Sequence, residues 1–209
     1  MGNSAVLLVE GRDDRHVMYA LMKHHGVPAV FDIQEMDGID NLLEDVPVRI
    51  RLTDLKRLGI LVDADLSVRA RWDAVIGILE RAGYSNLPRS PLPEGSLFPA
   101  PDDLHPMVGL WIMPNNTVPG LLEDFVKFLV PQGDRLFDRA VGCVSRIPPN
   151  QRRFPPPQAS KAEVHTWLAW QETPGRPIGT AIGARYLDPD SPHAADLIAW
   201  LRRLFTRPQ

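Results

Sequence analysis

The fold of this protein is decided by residues 5–26, AVLLVEGRDDRHVMYALMKHHG. The stretch opens with a run of apolar β-formers, which predicts a first strand over residues 6–9. A helical pattern then predicts a helix over residues 13–25, ended by Gly26. Three carboxylates lie at the change from strand to helix: Glu10, Asp13 and Asp14. Because like charges this close repel one another, they either complement a solvated helix N-terminus or surround a positive ion.

Short apolar runs alternate with amphipathic segments along the rest of the chain, which is typical of α/β units around a mostly parallel sheet. Four strands are predicted, at residues 6–9, 30–36, 58–62 and 108–113. Helices are predicted at residues 13–25, 39–45, 67–83, 119–129, 160–171, 178–184 and 192–205. The predicted fold is therefore α/β, with a mostly parallel four-stranded central sheet flanked by helices.

Two segments break this pattern because they are rich in proline, which lacks the N–H donor and fixes φ. Residues 85–106 are predicted to be a long loop with a hairpin around Gly95, and residues 147–157 a linker or lid without regular structure. We expect an α/β core over residues 4–130. A C-terminal extension over residues 131–209, mainly helical after the linker, is expected to pack on that core.

Composition and charge limit the kinds of site and the location expected for this protein. Cys143 is the only cysteine among 209 residues, which excludes an internal disulfide and argues against a cysteine-based zinc site. The net charge is −3, but residues 1–134 carry 12 Lys and Arg against 20 Asp and Glu, while residues 135–209 carry 11 against 6. This asymmetry permits a metal site beside a phosphate-binding surface, although solvated faces of uneven charge give the same counts. With no signal sequence and no apolar run of membrane length, a cytoplasmic location is expected.

A second acidic signal is GILVDADLS, residues 59–67. Side chains two apart in an extended strand point to the same side, so Asp63 and Asp65 are expected to address one point in space. Ligands of open parallel sheets collect at the carboxyl ends of the strands, where Glu10 also lies. Oxygen-rich clusters of this kind suit Mg²⁺. Taken singly, each acidic group is better explained as a helix cap or a solvated loop, but their joint occurrence directly after two buried-type strands favours a metal site.

These residues carry a family resemblance. A strand ending in Glu-Gly, followed by a strand ending in Asp-x-Asp, resembles the Toprim domain of topoisomerases, bacterial primases, recombination proteins and OLD-type nucleases. The two motifs read VEGRDD and LVDADLS in this chain. Two further segments, LWIMPNNTVPGLLEDFV and KAEVHTWLAWQ, resemble a group of small stand-alone Toprim proteins related to the OLD nucleases. The Toprim resemblance covers residues 4–130 and implies a Rossmann-like Toprim fold; that to the small group spans nearly the whole chain.

The resemblance also implies roles for the first two acidic groups. Glu10 would be a metal ligand or a general acid/base, and Asp63 and Asp65 would be Mg²⁺ ligands. In OLD-like proteins an acid about four residues after the glutamate also contributes. Asp14 matches it here, with Asp13 as the alternative.

Two later residues are carried over in the same way. Glu123, next to Asp124, would supply a further ligand, unless it lies on an exposed helix face. Lys161 resembles the lysine that OLD-type nucleases place near the scissile phosphate. The implied cofactor is Mg²⁺, for which Mn²⁺ would substitute, and the implied chemistry is metal-assisted attack on phosphate with the lysine offsetting developing charge.

Several Toprim functions do not fit this chain. A topoisomerase needs a nucleophilic tyrosine and a clamp in further domains, and bacterial primases carry a zinc module that one cysteine cannot build. The chain has no P-loop, so the ATPase of OLD proteins would have to be a separate partner protein. A small Mg²⁺-dependent nuclease or phosphotransfer-type enzyme is therefore expected, with DNA, RNA or a small nucleotide as its substrate. The alternatives are a non-catalytic module that binds nucleic acid or nucleotides, and a protein-interaction subunit that uses the proline-rich loops.

Overall fold

The computed structural model describes residues 4–206 as an α/β protein built on a five-stranded sheet. The strands are β1 (Ala5–Val9), β2 (Asp32–Glu35), β3 (Arg57–Asp63), β4 (Ser96–Phe98) and β5 (Met107–Met113). Their order across the sheet is β2-β1-β3-β5-β4. The first three pairs are parallel, and β4 runs antiparallel to β5. The predicted α/β class and mostly parallel sheet are confirmed.

The prediction of four strands is wrong because of the edge strand β4, which lies in the segment read as a loop. Its three residues pair with β5, with Phe98 opposite Val108. Ser96 and Phe98 are buried, but so short a run shows no alternation that patterning detects. Gly95 precedes β4 at φ +84°, and a Cβ at this position would overlap the Trp200 ring. The antiparallel pair therefore follows Gly95 instead of surrounding it.

Helices cover both faces of the sheet. Within residues 4–206 they are α1 (Arg12–His25), α2 (Ile39–Ile50), α3 (Val68–Arg81), α4 (Leu122–Lys127), α5 (Arg135–Ser145), α6 (Ala159–Ala169), α7 (Ile178–Gly183) and α8 (Pro192–Phe205). A 3₁₀ turn, Pro156–Gln158, ends the proline-rich segment that was predicted to lack regular structure. None of the helices in this part of the chain is long and apolar enough to cross a membrane.

Two helices differ by more than two residues from their predicted extents, and a third was not predicted. α2 continues past Pro47 to Ile50, because Leu42, Val46 and Ile50 form a fully buried stripe that outweighs one lost backbone hydrogen bond. α4 begins later than predicted, since Gly120 has φ +148° and cannot be helical. α5 was not predicted; its cap is Asp134, whose side chain accepts hydrogen bonds from two backbone N–H groups of the first turn.

The alternation along β1 separates two hydrophobic layers. Leu7 faces a layer formed with α1 and α4–α8, whereas Leu8 faces a layer formed with α2 and α3. α8 lies directly on β3 and β5, where Gly59 and Gly109 make room for it. A Cβ on Gly109 would be 2.6 Å from a methyl carbon of Leu204. Helices of the C-terminal part thus share one hydrophobic cluster with the sheet.

Candidate functional site

The carboxyl ends of β1 and β3 bring Glu10 and Asp63 into contact. The two strands are parallel neighbours with Val9 opposite Leu61, so both leave the sheet at the same edge. The backbone N–H of Asp63 donates a hydrogen bond of 2.7 Å to Oε1 of Glu10. The sequence predicts this meeting, because ligand groups of parallel sheets gather where neighbouring strands end.

Asp14 reaches the same edge from the first turn of α1. Its Oδ2 accepts a hydrogen bond of 3.0 Å from the backbone N–H of Gly11, which holds the side chain against the helix N-terminus. Only 7% of Asp14 is exposed, and its pKa is raised by this burial and by the charge of Glu10. The side chain of Asp13 is partly exposed and forms no hydrogen bond or ion pair with the described residues. The structure therefore brings Asp14, rather than Asp13, towards Glu10.

Asp65 lies beyond the end of β3, so the strand geometry predicted for it does not apply. β3 ends at Asp63, and Asp65 has φ +51°, outside the extended region. Its backbone N–H donates a hydrogen bond of 3.0 Å to the carbonyl of Gly120. Its carboxylate pairs with Nη2 of Arg71 at 2.6 Å, and its side chain is 52% exposed. Glu10, Asp14 and Asp63 form what we call the carboxylate cluster. Asp65 lies on its solvent side, and Arg71 offsets the charge of Asp65.

Glu123 and Lys161 are far apart in the chain but close in space. Glu123 is only 4% exposed, so it does not lie on an exposed helix face. Its Oε1 is 3.5 Å from Nζ of Lys161 and 4.0 Å from Nε2 of His165. Lys161 and His165 are four residues apart in α6 and so share a helix face. About half of each of these two side chains is exposed, at 53% and 48%.

A polar network holds α6 against α4 and so keeps Lys161 and His165 close to Glu123. Nζ of Lys127 donates hydrogen bonds of 3.2 Å to Oγ of Ser160 and 2.8 Å to Oε2 of Glu163. Oγ of Ser160 in turn donates to Oδ1 of Asp124. Asp124 is therefore occupied between the two helices, while its neighbour Glu123 faces the other carboxylates.

Burial and mutual repulsion make the cluster hard to ionise. Burial raises the pKa of Glu10, although the hydrogen bond from Asp63 and the charge of Arg71 oppose this. Burial, followed by the charge of Glu10, raises the pKa of Asp14 from its ordinary value of 3.8 to about 7, and Glu123 contributes. Burial and the charge of Asp14 raise the pKa of Asp63 well above its ordinary value. Without an added cation, part of this cluster is protonated near neutral pH.

The cluster has the donor atoms that a hard divalent cation needs. Oδ1 of Asp63 is buried and makes no hydrogen bond to any described residue. No Lys, Arg or His of residues 4–206 forms an ion pair with Glu10, Asp14 or Asp63. The carboxylate oxygens are widely spaced: no three of these acidic residues each place an oxygen within 4.8 Å of the other two. Mg²⁺ fits such a site, because it keeps several waters and uses few carboxylates.

A different group, His24, His25 and Asp190, does have three potential ligand atoms within 4.8 Å. Nε2 of His24 is 2.7 Å from Oδ1 of Asp190, and Nε2 of His25 is 2.8 Å from the carbonyl oxygen of Pro189. Arg185 approaches the same aspartate at 3.4 Å. Because these contacts already use a nitrogen of each ring and the carboxylate, the group is explained as hydrogen bonds that hold the C-terminal end of α1.

Two residues near the carboxylate cluster were not identified from the sequence. Arg71 donates a hydrogen bond of 2.8 Å from Nε to the carbonyl of Asp63 while it pairs with Asp65, so it fixes the chain just after β3. Only its position in the first turn of α3 hinted at this contact. His165 is not among the residues to which the family resemblance assigns a role. Its spacing of four from Lys161 was the signal that both side chains reach one point.

Comparison with known proteins gives a family. The sequence model of the family described as "Protein of unknown function (DUF3226)" matches residues 4–206. No curated protein sequence and no solved structure matches the chain. The matched range contains every strand and helix described above, together with the whole carboxylate cluster and α6. The chain therefore belongs to the DUF3226 family.

Proposed function

We propose that this protein is a Mg²⁺-dependent hydrolase of phosphodiester bonds in nucleic acid. One observation carries the proposal: the carboxyl groups of Glu10, Asp14 and Asp63 lie at one sheet edge, close enough for charge on one to raise the pKa of another, and no basic side chain of residues 4–206 forms an ion pair with any of them. Such a group of acids is unfavourable when ionised, and a hard divalent cation relieves the repulsion. The Toprim resemblance of the same residues supports phosphodiester chemistry.

Glu10, Asp14 and Asp63 are the residues that would hold Mg²⁺, or Mn²⁺ in its place, with Asp65 and Glu123 at the rim. A divalent cation held there supplies Lewis acidity towards a phosphoryl oxygen and lowers the pKa of a bound water. Asp63 contributes the buried Oδ1 that has no hydrogen bond within the described chain. Glu10 has one oxygen fixed by the N–H of Asp63, which leaves Oε2 for the ion.

The chain's own residues perform the remaining tasks. Lys161 and His165 extend past Glu123 with about half of each side chain exposed, so they can contact a phosphate group that approaches from solvent. The positive charge of Lys161 would offset the charge that develops on the phosphoryl oxygens, and an N–H of His165 can donate a hydrogen bond to them. Burial raises the pKa of Glu10, so Oε2 could exchange a proton with the attacking water instead of contacting the ion.

A nucleic-acid-binding module without turnover is the second candidate. The spacing of the acidic oxygens favours it, because no three of them lie within 4.8 Å. On this reading Mg²⁺ would bind weakly and serve to attach a phosphate. In either case a separate ATPase remains the proposed protein partner.

The test compares Asp63→Asn with Asp73→Asn. Asp73 is an exposed aspartate on α3, paired with Arg69, and serves as a matched control for removal of one carboxylate. Isothermal titration with Mg²⁺ and Mn²⁺ measures ion binding, and cleavage is assayed on plasmid, single-stranded DNA and RNA. Asp63→Asn should lose binding heat and at least about 100-fold in cleavage rate, whereas Asp73→Asn should match the wild type.

The outcomes separate the candidates. Joint loss of ion binding and cleavage in Asp63→Asn supports the hydrolase. Ion binding by the wild type without any cleavage product supports the binding module. Wild-type cleavage by Asp63→Asn that retains its fold would overturn both readings of the cluster.

A further inference from the structure

A groove on the outer side of α1 lies apart from the carboxylate cluster. It has a volume of about 780 Å³ and is bounded by α1 and α7. The two helices touch at Gly179, where a Cβ would be 2.7 Å from the carbonyl oxygen of His16. One turn later in α7, a Cβ on Gly183 would meet no atom within 4 Å. The helices therefore separate from a tight contact into an open groove.

The lining of this α1–α7 groove is cationic. Its charged and titratable members are Lys23, Arg176, Arg185, His16 and His24. No Asp or Glu of the described chain is part of the lining. The chain as a whole is acidic, so this concentration of positive charge is local. An anionic ligand is the occupant that the charge favours.

These cations differ in how far neighbouring side chains already offset their charge. Asp190 lies beside the groove and contacts both Arg185, at 3.4 Å, and His24. Arg176 lies over the ring of Tyr186, with 5.4 Å from its guanidinium carbon to the ring centroid. Lys23 forms no hydrogen bond or ion pair with any residue from 4 to 206. Lys23 is therefore the cation most available to a ligand, with Arg185, 60% exposed, as the second.

The walls of the groove offer apolar surface as well as charge. Tyr19 lines it with 48% of its surface exposed, next to Ala20, and Pro177 and Ala184 line the α7 side. A groove of this volume with apolar walls and a few charged groups is typical of a site for a small organic group. A ligand that combines a flat ring with an anionic group matches both features.

The position of the groove relates it to the carboxylate cluster. Asp14, in the first turn of α1, belongs to the cluster, and His16, two residues later, begins the groove. From His16 to His24 the helix rises about 12 Å. A chain-like ligand lying in the groove would thus run along α1 towards the edge of the sheet where the acids meet.

We propose that the α1–α7 groove binds a segment of single-stranded nucleic acid, with phosphates at Lys23 and Arg185 and an unpaired base against Tyr19. This inference rests on the proposed function and specifies the form of the substrate and where it lies outside the carboxylate cluster. A single strand fits because its bases are free to stack on an aromatic side chain, whereas those of a duplex are not.

The test measures binding of a fluorescent single-stranded oligonucleotide to the full chain in EDTA, by anisotropy at several salt concentrations. Lys23→Gln/Arg185→Gln should weaken binding about tenfold or more and lower the salt slope by about 1.4, the value for two lost phosphate contacts on a single strand. Gly183→Leu, which adds no charge, should also weaken binding because it fills the groove. Arg51→Gln/Arg81→Gln removes two exposed cations on the α2–α3 side and should bind as the wild type.

The results distinguish this inference from the proposed function, since binding in EDTA does not need the metal. Weaker binding in both groove variants, with unchanged melting temperatures, supports the groove even if no variant cleaves. Wild-type binding in the groove variants, an equal loss in the Arg51→Gln/Arg81→Gln control, or tighter binding of duplex than of single strand overturns it, even if Asp63→Asn abolishes cleavage.

Discussion

Asp14→Asn tests whether acidic side chains are buried against one another at the sheet edge. Burial and the charge of Glu10 raise the pKa of Asp14 from 3.8 to about 7, a shift of about three units at about 1.4 kcal/mol each. The folded chain therefore keeps this proton to higher pH than the unfolded chain. Unfolding free energy falls as pH rises from 3.8 to about 7, and the full loss, about 4 kcal/mol, applies above that range.

Asparagine removes the ionisation and keeps the contact that holds α1. Its side-chain oxygen can still accept the hydrogen bond from the N–H of Gly11. In EDTA, the stability of Asp14→Asn relative to the wild type should therefore increase by about 3 kcal/mol between pH 5 and pH 8. Urea denaturation at the two pH values, followed by circular dichroism, measures this difference.

Asp124→Asn is the matched control, because Asp124 holds the same position in the first turn of α4 but contacts Ser160 and Lys127 instead of other acids. It should give no stabilisation at either pH. Saturating Mg²⁺ should remove the advantage of Asp14→Asn at pH 8, since the ion offsets the buried charge. A stability difference between Asp14→Asn and the wild type that stays the same from pH 5 to pH 8 would refute the electrostatic reasoning.

Mg²⁺ at about 100 times its Kd should raise the melting temperature at pH 8 by about 5–10 °C, because an ion that binds only the folded chain adds about 2.7 kcal/mol to the free energy of unfolding. Scanning fluorimetry measures this shift, and Asp63→Asn should show none. Lys161→Gln should lower kcat about 100-fold with Mg²⁺ affinity unchanged by titration, and Lys161→Arg should recover part of the rate; equal losses in both would contradict an electrostatic role. Gly120→Ala should lower unfolding free energy in urea by about 1–3 kcal/mol, since Gly120 has φ +148° and a Cβ would lie 2.7 Å from the Asp124 carboxylate; unchanged stability would count against this strain.

The meeting of Glu10 and Asp63 could be predicted from the sequence because it depends on strand order and chain direction alone. Each residue follows an apolar run, and neighbouring parallel strands end at one edge. Asp65 could not be predicted in the same way. Its position depends on φ +51° just after β3 and on a contact with Gly120, neither of which leaves a periodic pattern.

Other features needed three-dimensional packing. The choice between Asp13 and Asp14 depends on the rotation of α1, which decides which side chain is buried. The approach of Lys161 to Glu123 depends on hydrogen bonds between α4 and α6 that join residues far apart in the chain. β4 has three residues and is recognised only through its pairing with β5.

The seating of α8 on Gly59 and Gly109 limits which fragments of this protein can be produced in soluble form. A fragment of residues 4–130 retains Glu10, Asp14, Asp63 and Glu123 but lacks α8. The apolar side chains of the sheet then lose part of the layer that covers them. An uncovered apolar sheet face of this kind promotes aggregation. Expression for metal-binding or cleavage experiments should therefore include residues up to Phe205, so that α8 covers the sheet that carries the acids.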